Sequence, residues 1–232
     1  DGTFDHANIS RRGSADWTLK VKGLPAHSSQ IFQPEVGAGA IYEASRILNE
    51  FYRQLSLEEN FTFNPGLISG GNSLTVNEEA NKSEAFGKNN IVSAEVFVTG
   101  DMRAVSKEQL IRTRKIMQEI VANSLPHTSA SIEFGDDGYP PMTMTEGNKR
   151  LLGIFSKVSE DLGFGPVFPV NPRNSGAADI SFVADDVKMA MDAIGLCGTG
   201  GHTVEETADI TCLPKEAKRT AILLYRLKDI KF

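Results

Sequence analysis

The sequence predicts a mixed α/β protein in two parts, an α+β unit of order βαββαβ followed by part of a larger α/β layer. Three observations carry this. Between Trp17 and Phe134, runs with period-two apolar alternation bracket two longer runs with helical spacing, in the order strand, helix, strand, strand, helix, strand. Such an order packs two helices on one face of an antiparallel sheet. Gly135-Asp-Asp-Gly-Tyr-Pro-Pro141 then concentrates turn formers and reads as a linker. Beyond it, short apolar runs alternate with helical stretches, as in an α/β layer.

Taken in order, Trp17-Thr-Leu-Lys-Val-Lys22 alternates apolar and polar residues, a strand with one buried face that Gly23-Leu24-Pro25 ends. Val36, Ala40, Ile41, Ala44, Ile47, Leu48, Phe51, Tyr52 and Leu55 keep helical spacing. Phe61 to Ile68 reads as a strand interrupted by Pro65, hence bulged or at a sheet edge. Gly70-Gly71-Asn72 turns the chain into a polar stretch, Asn77 to Ser83, expected as a loop or irregular hairpin. Ile91 to Thr99 is the clearest strand, with Val92, Ala94, Val96 and Val98 on one face and Gly100-Asp-Met-Arg103 after it. Ser106-Lys-Glu-Gln109 is a capping box, opening a helix with Leu110, Ile111, Met117, Ile120 and Val121 inward. Ala130, Ile132 and Phe134 supply the buried face of the last strand of the unit.

In the second part, Thr145 caps a helix through Leu151, Leu152, Phe155, Val158 and Leu162 that stops at Gly163. Phe168 to Val170 is a short strand, and Asn174 to Asp179 a small-residue loop into an apolar helix start, with Asp179 as a cap. Met189 to Leu196 is expected as a buried strand, and Pro214 opens a closing helix through Leu227.

The 232 residues suffice for a sizeable core, and 40% hydrophobic with 23% charged residues is ordinary globular composition. A formal net charge of −6 argues against binding nucleic acid through a basic face. No apolar run approaches the ~20 residues that span a bilayer, so no membrane partner is expected. Cys197 and Cys212 lack metal-site spacing and read as core thiols. No Gly-x-Ser-x-Gly elbow surrounds Ser28 or Ser69, and no Walker glycine loop precedes Lys88.

Chemistry concentrates in Gly198-Thr-Gly-Gly-His-Thr-Val-Glu-Glu206. The glycines permit a tight turn, and His202 is then presented on a short loop, with Glu205 and Glu206 near enough to fix its tautomer or add negative potential. By itself the stretch reads equally as a glycine turn carrying an exposed histidine.

Five stretches together resemble the M20 family of zinc metallopeptidases and N-acyl amidohydrolases. They are Val21-Lys-Gly-Leu-Pro-Ala-His-Ser-Ser29, Gly87-Lys-Asn-Asn-Ile-Val92, Gly100-Asp-Met-Arg103, Ser175-Gly-Ala-Ala-Asp179 and Gly200-Gly-His-Thr-Val-Glu-Glu206. They stand in the family's order and span almost the whole chain. The resemblance implies that 1–14 end the N-terminal part of a zinc-binding catalytic domain. By the same resemblance, 15–138 form a ferredoxin-like lid or dimerisation domain, and 139–232 the C-terminal part of the catalytic domain.

It further implies one or two zinc ions, other divalent metals being possible, with His202 and Asp1 as ligands. His27 would be a catalytic donor reaching across a homodimer to the scissile carbonyl of the partner's substrate. Asn90, Arg103, Arg173, Ser175 and Gly176 would bind substrate, Arg103 clamping its carboxylate; its alternative is a salt bridge with Asp101 or Glu95. The implied reaction is hydrolysis of an amide bond beside a carboxylate, in a small peptide or an N-acyl amino acid. The family's His-x-Asp motif, bridging Asp and Glu-Glu pair are expected ahead of Asp1. The chain made alone is therefore expected to be inactive, and the alternative function is a non-catalytic dimerisation or binding fragment.

Overall fold

A computed structural model describes residues 2–80, 82–135 and 138–230. In chain order the elements are β1 (His6–Ala7), β2 (Gly13–Gly23), α1 (Gly39–Leu55), β3 (Thr62–Gly71), β4 (Ser73–Asn77), β5 (Lys82–Phe86), β6 (Glu95–Ala104), α2 (Lys107–Ala122) and β7 (Thr128–Phe134). There follow α3 (Glu146–Asp161), β8 (Phe168–Pro169), β9 (Cys197–Thr199), β10 (Thr207–Asp209) and α4 (Leu213–Leu227). The chain folds as two compact units, one of Ser14–Gly138 and one of Asp1–Gly13 with Tyr139–Phe232.

In the Ser14–Gly138 unit, four strands form a sheet in the order β3-β6-β2-β7. Alternation decides which face of β2 is buried: Trp17, Leu19 and Val21 are buried while Lys22 is exposed. Helices α1 and α2 add Ala40, Ala44, Ile47, Phe51, Met117 and Val121 to this core. The Trp17 indole meets Phe51 edge to face at 6.0 Å and donates its N–H to Asp101 O at 3.2 Å. As Pro65 led one to expect, β3 lies at the sheet edge and its register shifts between Pro65 and Leu67.

Four local expectations are corrected. The clearest strand starts at Glu95 rather than Ile91 and runs through Gly100 and Arg103 to Ala104. The residues before it make other bonds: Ala40 N–H donates to Ser93 O at 3.0 Å, and the Asn72 amide donates to Val92 O at 3.2 Å. The polar stretch after Asn72 is a regular hairpin, with β4 and β5 paired from Ser73–Phe86 to Asn77–Lys82. Ile111 is 67% exposed, because it lies one helical step off the stripe of Leu110, Thr113, Met117 and Ile120. At the cap of α2, Ser106 Oγ accepts from Gln109 N–H at 3.1 Å, but the Gln109 side chain accepts from Val105 N–H rather than from that of Ser106.

In the other unit, α3 packs with α4, and Ala7, Ile9, Leu152, Phe155, Val167 and Leu223 are buried together. Thr145 Oγ1 caps α3 by accepting from Asn148 N–H at 3.0 Å. The buried Asn148 amide donates to Ile9 O and Thr143 O and accepts from Ala190 N–H, tying three segments together. β1 and β8 pair in parallel, β9 and β10 antiparallel.

Three expectations fail in this unit. Met189 to Leu196 is not a strand. Ala190 and Met191 are buried, yet the segment meets Asn8 through one bridge, with reciprocal N–H to O bonds of 3.0 Å at Asp192. The helix start after Asn174–Asp179 is a single 3-10 turn, Asp179–Phe182. Asp179 does not cap it; its carboxylate accepts the Tyr139 hydroxyl at 3.1 Å. Among the described residues no helix is long and apolar enough to cross a membrane.

Candidate functional site

The Ser14–Gly138 unit holds His27, Asn90 and Arg103. His27 lies just past β2, where Ala26 O accepts from Val92 N–H and Ser28 N–H donates to Asn90 O, both at 2.9 Å. These bonds fix the backbone on both sides of an exposed imidazole, His27 bridging to Ile91 with Asn90 next along the chain. His27 also caps a 3-10 turn, Ser28–Gln30, its Nδ1 accepting from Ser29 N–H at 3.3 Å with Ser29 Oγ 2.8 Å away. Arg103 stands within β6 opposite Thr62. Its Nε–H donates to Asp101 Oδ2 at 3.1 Å, both side chains being 37% exposed. That bond leaves the two terminal nitrogens without a partner among the described residues.

The other unit holds Arg173, Ser175, Gly176 and His202, while Asp1 lies outside the described residues. A 3-10 turn, Pro172–Asn174, leads into Ser175, which is 1% exposed. Ser175 N–H donates to Pro172 O, and its carbonyl accepts from Arg12 N–H at 3.1 Å. With the Asn8 amide oriented to satisfy both neighbours, its Nδ2 donates to Ser175 Oγ at 2.8 Å and its Oδ1 accepts from Arg11 at 2.8 Å. The hydroxyl of Ser175 is thus committed inward. Gly176 is different: nothing lies within 4 Å of where its Cβ would stand, and its carbonyl accepts from Arg11 Nη1 at 3.3 Å.

Arg11 is in turn gripped by Asp192, with Nε bonds to both carboxylate oxygens at 3.0 and 3.1 Å. Asn8 and Arg11, with Thr3, His6, Asn171 and Asn174, border a polar cleft of about 600 Å³. Sequence reasoning missed Asn8, Arg11 and Asp192. Arg11 and Asp192 lie far apart in sequence, and no spacing pattern joins them.

His202 occupies the loop between β9 and β10. Gly200 takes φ 74°, where an added Cβ would meet Glu205 O at 2.9 Å, and the Thr203 hydroxyl donates to Gly200 O at 2.7 Å. His202 itself has φ 65°, a left-handed conformation uncommon for a side-chain-bearing residue. Its ring is exposed and makes no hydrogen bond to Glu205 or Glu206. At the base of the hairpin, Cys197 N–H points at Cys212 Sγ, 2.9 Å away. Burial, with the bond to Cys212 adding to it, pushes the Cys197 thiol up to about 12. Among the described residues no three His, Cys, Asp or Glu side chains gather closely enough to hold a metal ion. The described residues therefore do not compose a zinc centre by themselves.

Comparison with known proteins decides the family. Residues 9–129 match the peptidase dimerisation domain of the M20 family. The chain belongs to the M20 peptidases. Carboxypeptidase G2 of Pseudomonas sp. (strain RS-16) is 23% identical over 222 residues, which cover 95% of this chain and 49% of that protein. Among solved structures, aminopeptidase PepT from Bacillus cereus aligns with a TM-score of 0.67 at 18% identity, covering 96% of this chain and 54% of its own. A Bacillus subtilis protein described as a dinuclear metal binding peptidase from the M20 family aligns at 0.65 and 16%, covering 99% and 55%. This M20 chain spans about half the length of these relatives.

Proposed function

We propose that this chain supplies the lid and part of the catalytic domain of an M20 metallohydrolase that cleaves an amide or peptide bond beside a carboxylate, in small peptides or N-acyl amino acids. The observation that carries the reading is the dimerisation-domain match over 9–129 together with the backbone bonds that tie the His27 segment to that of Asn90 within it. On this reading the Ser14–Gly138 unit is the ferredoxin-like lid, its strand order β3-β6-β2-β7 being that of a βαββαβ sheet. Segments 1–13 and 139–232 belong to the catalytic domain. The lid pairs two copies of the chain.

The roles follow from the chemistry of each group. His27 donates an N–H to the carbonyl oxygen of the substrate as negative charge develops there, the kind of donor that contributes about 3–4 kcal/mol. Arg103 offers its terminal nitrogens to the substrate carboxylate in two parallel hydrogen bonds while Asp101 holds Nε. Asn90 gives an amide to the same substrate. Gly176 lines the open wall, its carbonyl held by Arg11, with Ser175 and Arg173 shaping the turn behind it. His202 and Asp1 would be this chain's donors to a centre of one or two zinc ions, completed by residues outside the chain. Bound zinc would supply an activated water.

In the full-length parent, His27→Ala should lower kcat by roughly 10²–10³ with metal content unchanged. Mixing His27→Ala subunits with His202→Ala subunits should restore part of the activity if His27 acts across the dimer. Unchanged kcat in the His27 variant would overturn the assignment. A second reading, a non-catalytic dimerisation fragment, is favoured for the 232-residue chain alone by the lack of a three-ligand cluster among its described residues. Assay of that chain with added zinc against dipeptides and N-acyl amino acids separates the two, and turnover would exclude the fragment reading.

A further inference from the structure

We infer that Ser29 is a positioning residue that sets the tautomer of His27, making Nε2 the ring nitrogen that carries the proton. The inference rests on the donor role proposed for His27, and its first test does not depend on activity. A backbone amide can only donate. Because Ser29 N–H points at His27 Nδ1 from 3.3 Å, it favours a lone pair on Nδ1 and a proton on Nε2, a preference that so long a bond does not complete by itself. The Ser29 hydroxyl, 2.8 Å from the same nitrogen, faces an acceptor and therefore donates as well.

Two donors from one residue converge on Nδ1, and the backbone beneath is fixed by the bonds from Val92 N–H to Ala26 O and from Ser28 N–H to Asn90 O. An imidazole free in water exchanges between tautomers. This one is closed on one side and presents a single N–H on the other. For an oxyanion donor that difference matters, since the wrong tautomer offers a lone pair to a developing negative charge. The same bonds hold Asn90 at a fixed place along the chain from that N–H.

The test is ring-nitrogen NMR on the 232-residue chain at mildly alkaline pH, where protonated and unprotonated ring nitrogens differ widely in shift. The His27→Ala spectrum identifies the resonances among the four histidines. Wild type should show Nδ1 unprotonated and Nε2 protonated. Ser29→Ala should move both nitrogens toward a tautomer mixture, and Ser29→Thr, which keeps the hydroxyl, should restore the wild-type pattern. A wild-type ring protonated on Nδ1, or a Ser29→Ala spectrum identical to wild type, would overturn the inference. In the full-length parent, Ser29→Ala should lower kcat about fivefold at unchanged KM, the loss of roughly one hydrogen bond's worth of stabilisation, with Ser29→Thr again restoring it. If His27→Ala leaves kcat unchanged while the NMR shifts behave as expected, the donor role fails and the tautomer assignment stands.

Discussion

At the scale of single residues, the groups bearing chemistry are held by backbone and small side chains. The His202 ring is exposed and its φ of 65° belongs to the turn, so the turn does not need the imidazole. His202→Ala should therefore change stability by less than ~0.5 kcal/mol, checked by thermal melting of the 232-residue chain. Cys197 behaves oppositely. Its thiol is pushed up to about 12, so it stays protonated in the folded state where an unfolded chain already releases the proton. The unfolded state is thus favoured progressively as pH rises from about 9 toward 12, and Cys197→Ser should flatten that alkaline loss of stability. Alkylation at about pH 8 should be slow in the folded chain and fast in denaturant. His27, Asn90, Arg103 and His202 stand out in the sequence because each sits in a short motif with its own turn chemistry, and their roles are proposals. The contacts of Arg11 with Asp192 and of Asn8 with Ser175 do not stand out, since only the fold brings such distant residues together.

At the scale of elements, period and caps were legible wherever one face is buried, as in β2 and in the helix capped by Thr145. Boundaries failed where side chains or neighbouring loops took over the backbone bonds. Val92 and Ser93 look like strand yet bond to Asn72 and to the start of α1. Met189 to Leu196 have a strand's composition and meet Asn8 through a single bridge. Gly100, expected as the end of a strand, lies within β6, where an added Cβ would stand 2.0 Å from Asn64 O and 2.8 Å from the Trp17 indole. Gly100→Ala should therefore force β3 and β6 apart at that point and cost about 2–3 kcal/mol. The fluorescence of Trp17, the single tryptophan, reads this in a urea titration; a midpoint equal to wild type would mean that the strands yield freely.

At the scale of the whole molecule, the Ser14–Gly138 unit has its own core and sheet, so expressed alone it should fold cooperatively. On the proposed reading it should sediment as a dimer, and a monomer at micromolar concentration would count against pairing through the lid. Glu58 should contribute to its acid stability, since it accepts from Arg112 and Gln109 and is held below the usual carboxylate range by them, Arg112 foremost. A depressed folded-state value means stability present above the unfolded carboxylate pKa and lost as pH falls through the folded one. Urea midpoints should therefore drop below about pH 4, and Glu58→Gln should weaken the unit at neutral pH and soften that drop. Arg11 and Met142 exchange backbone bonds of 2.9 and 3.0 Å, so the chain leaves the unit of Asp1–Gly13 with Tyr139–Phe232 and returns to it beside one bridge, a gate. An excursion whose ends are already clasped adds little closure entropy however long it grows. The gate therefore marks a natural cassette boundary, where the intervening segment can be swapped for a related one, or cut to a short turn, without unpicking the bridge that closes it.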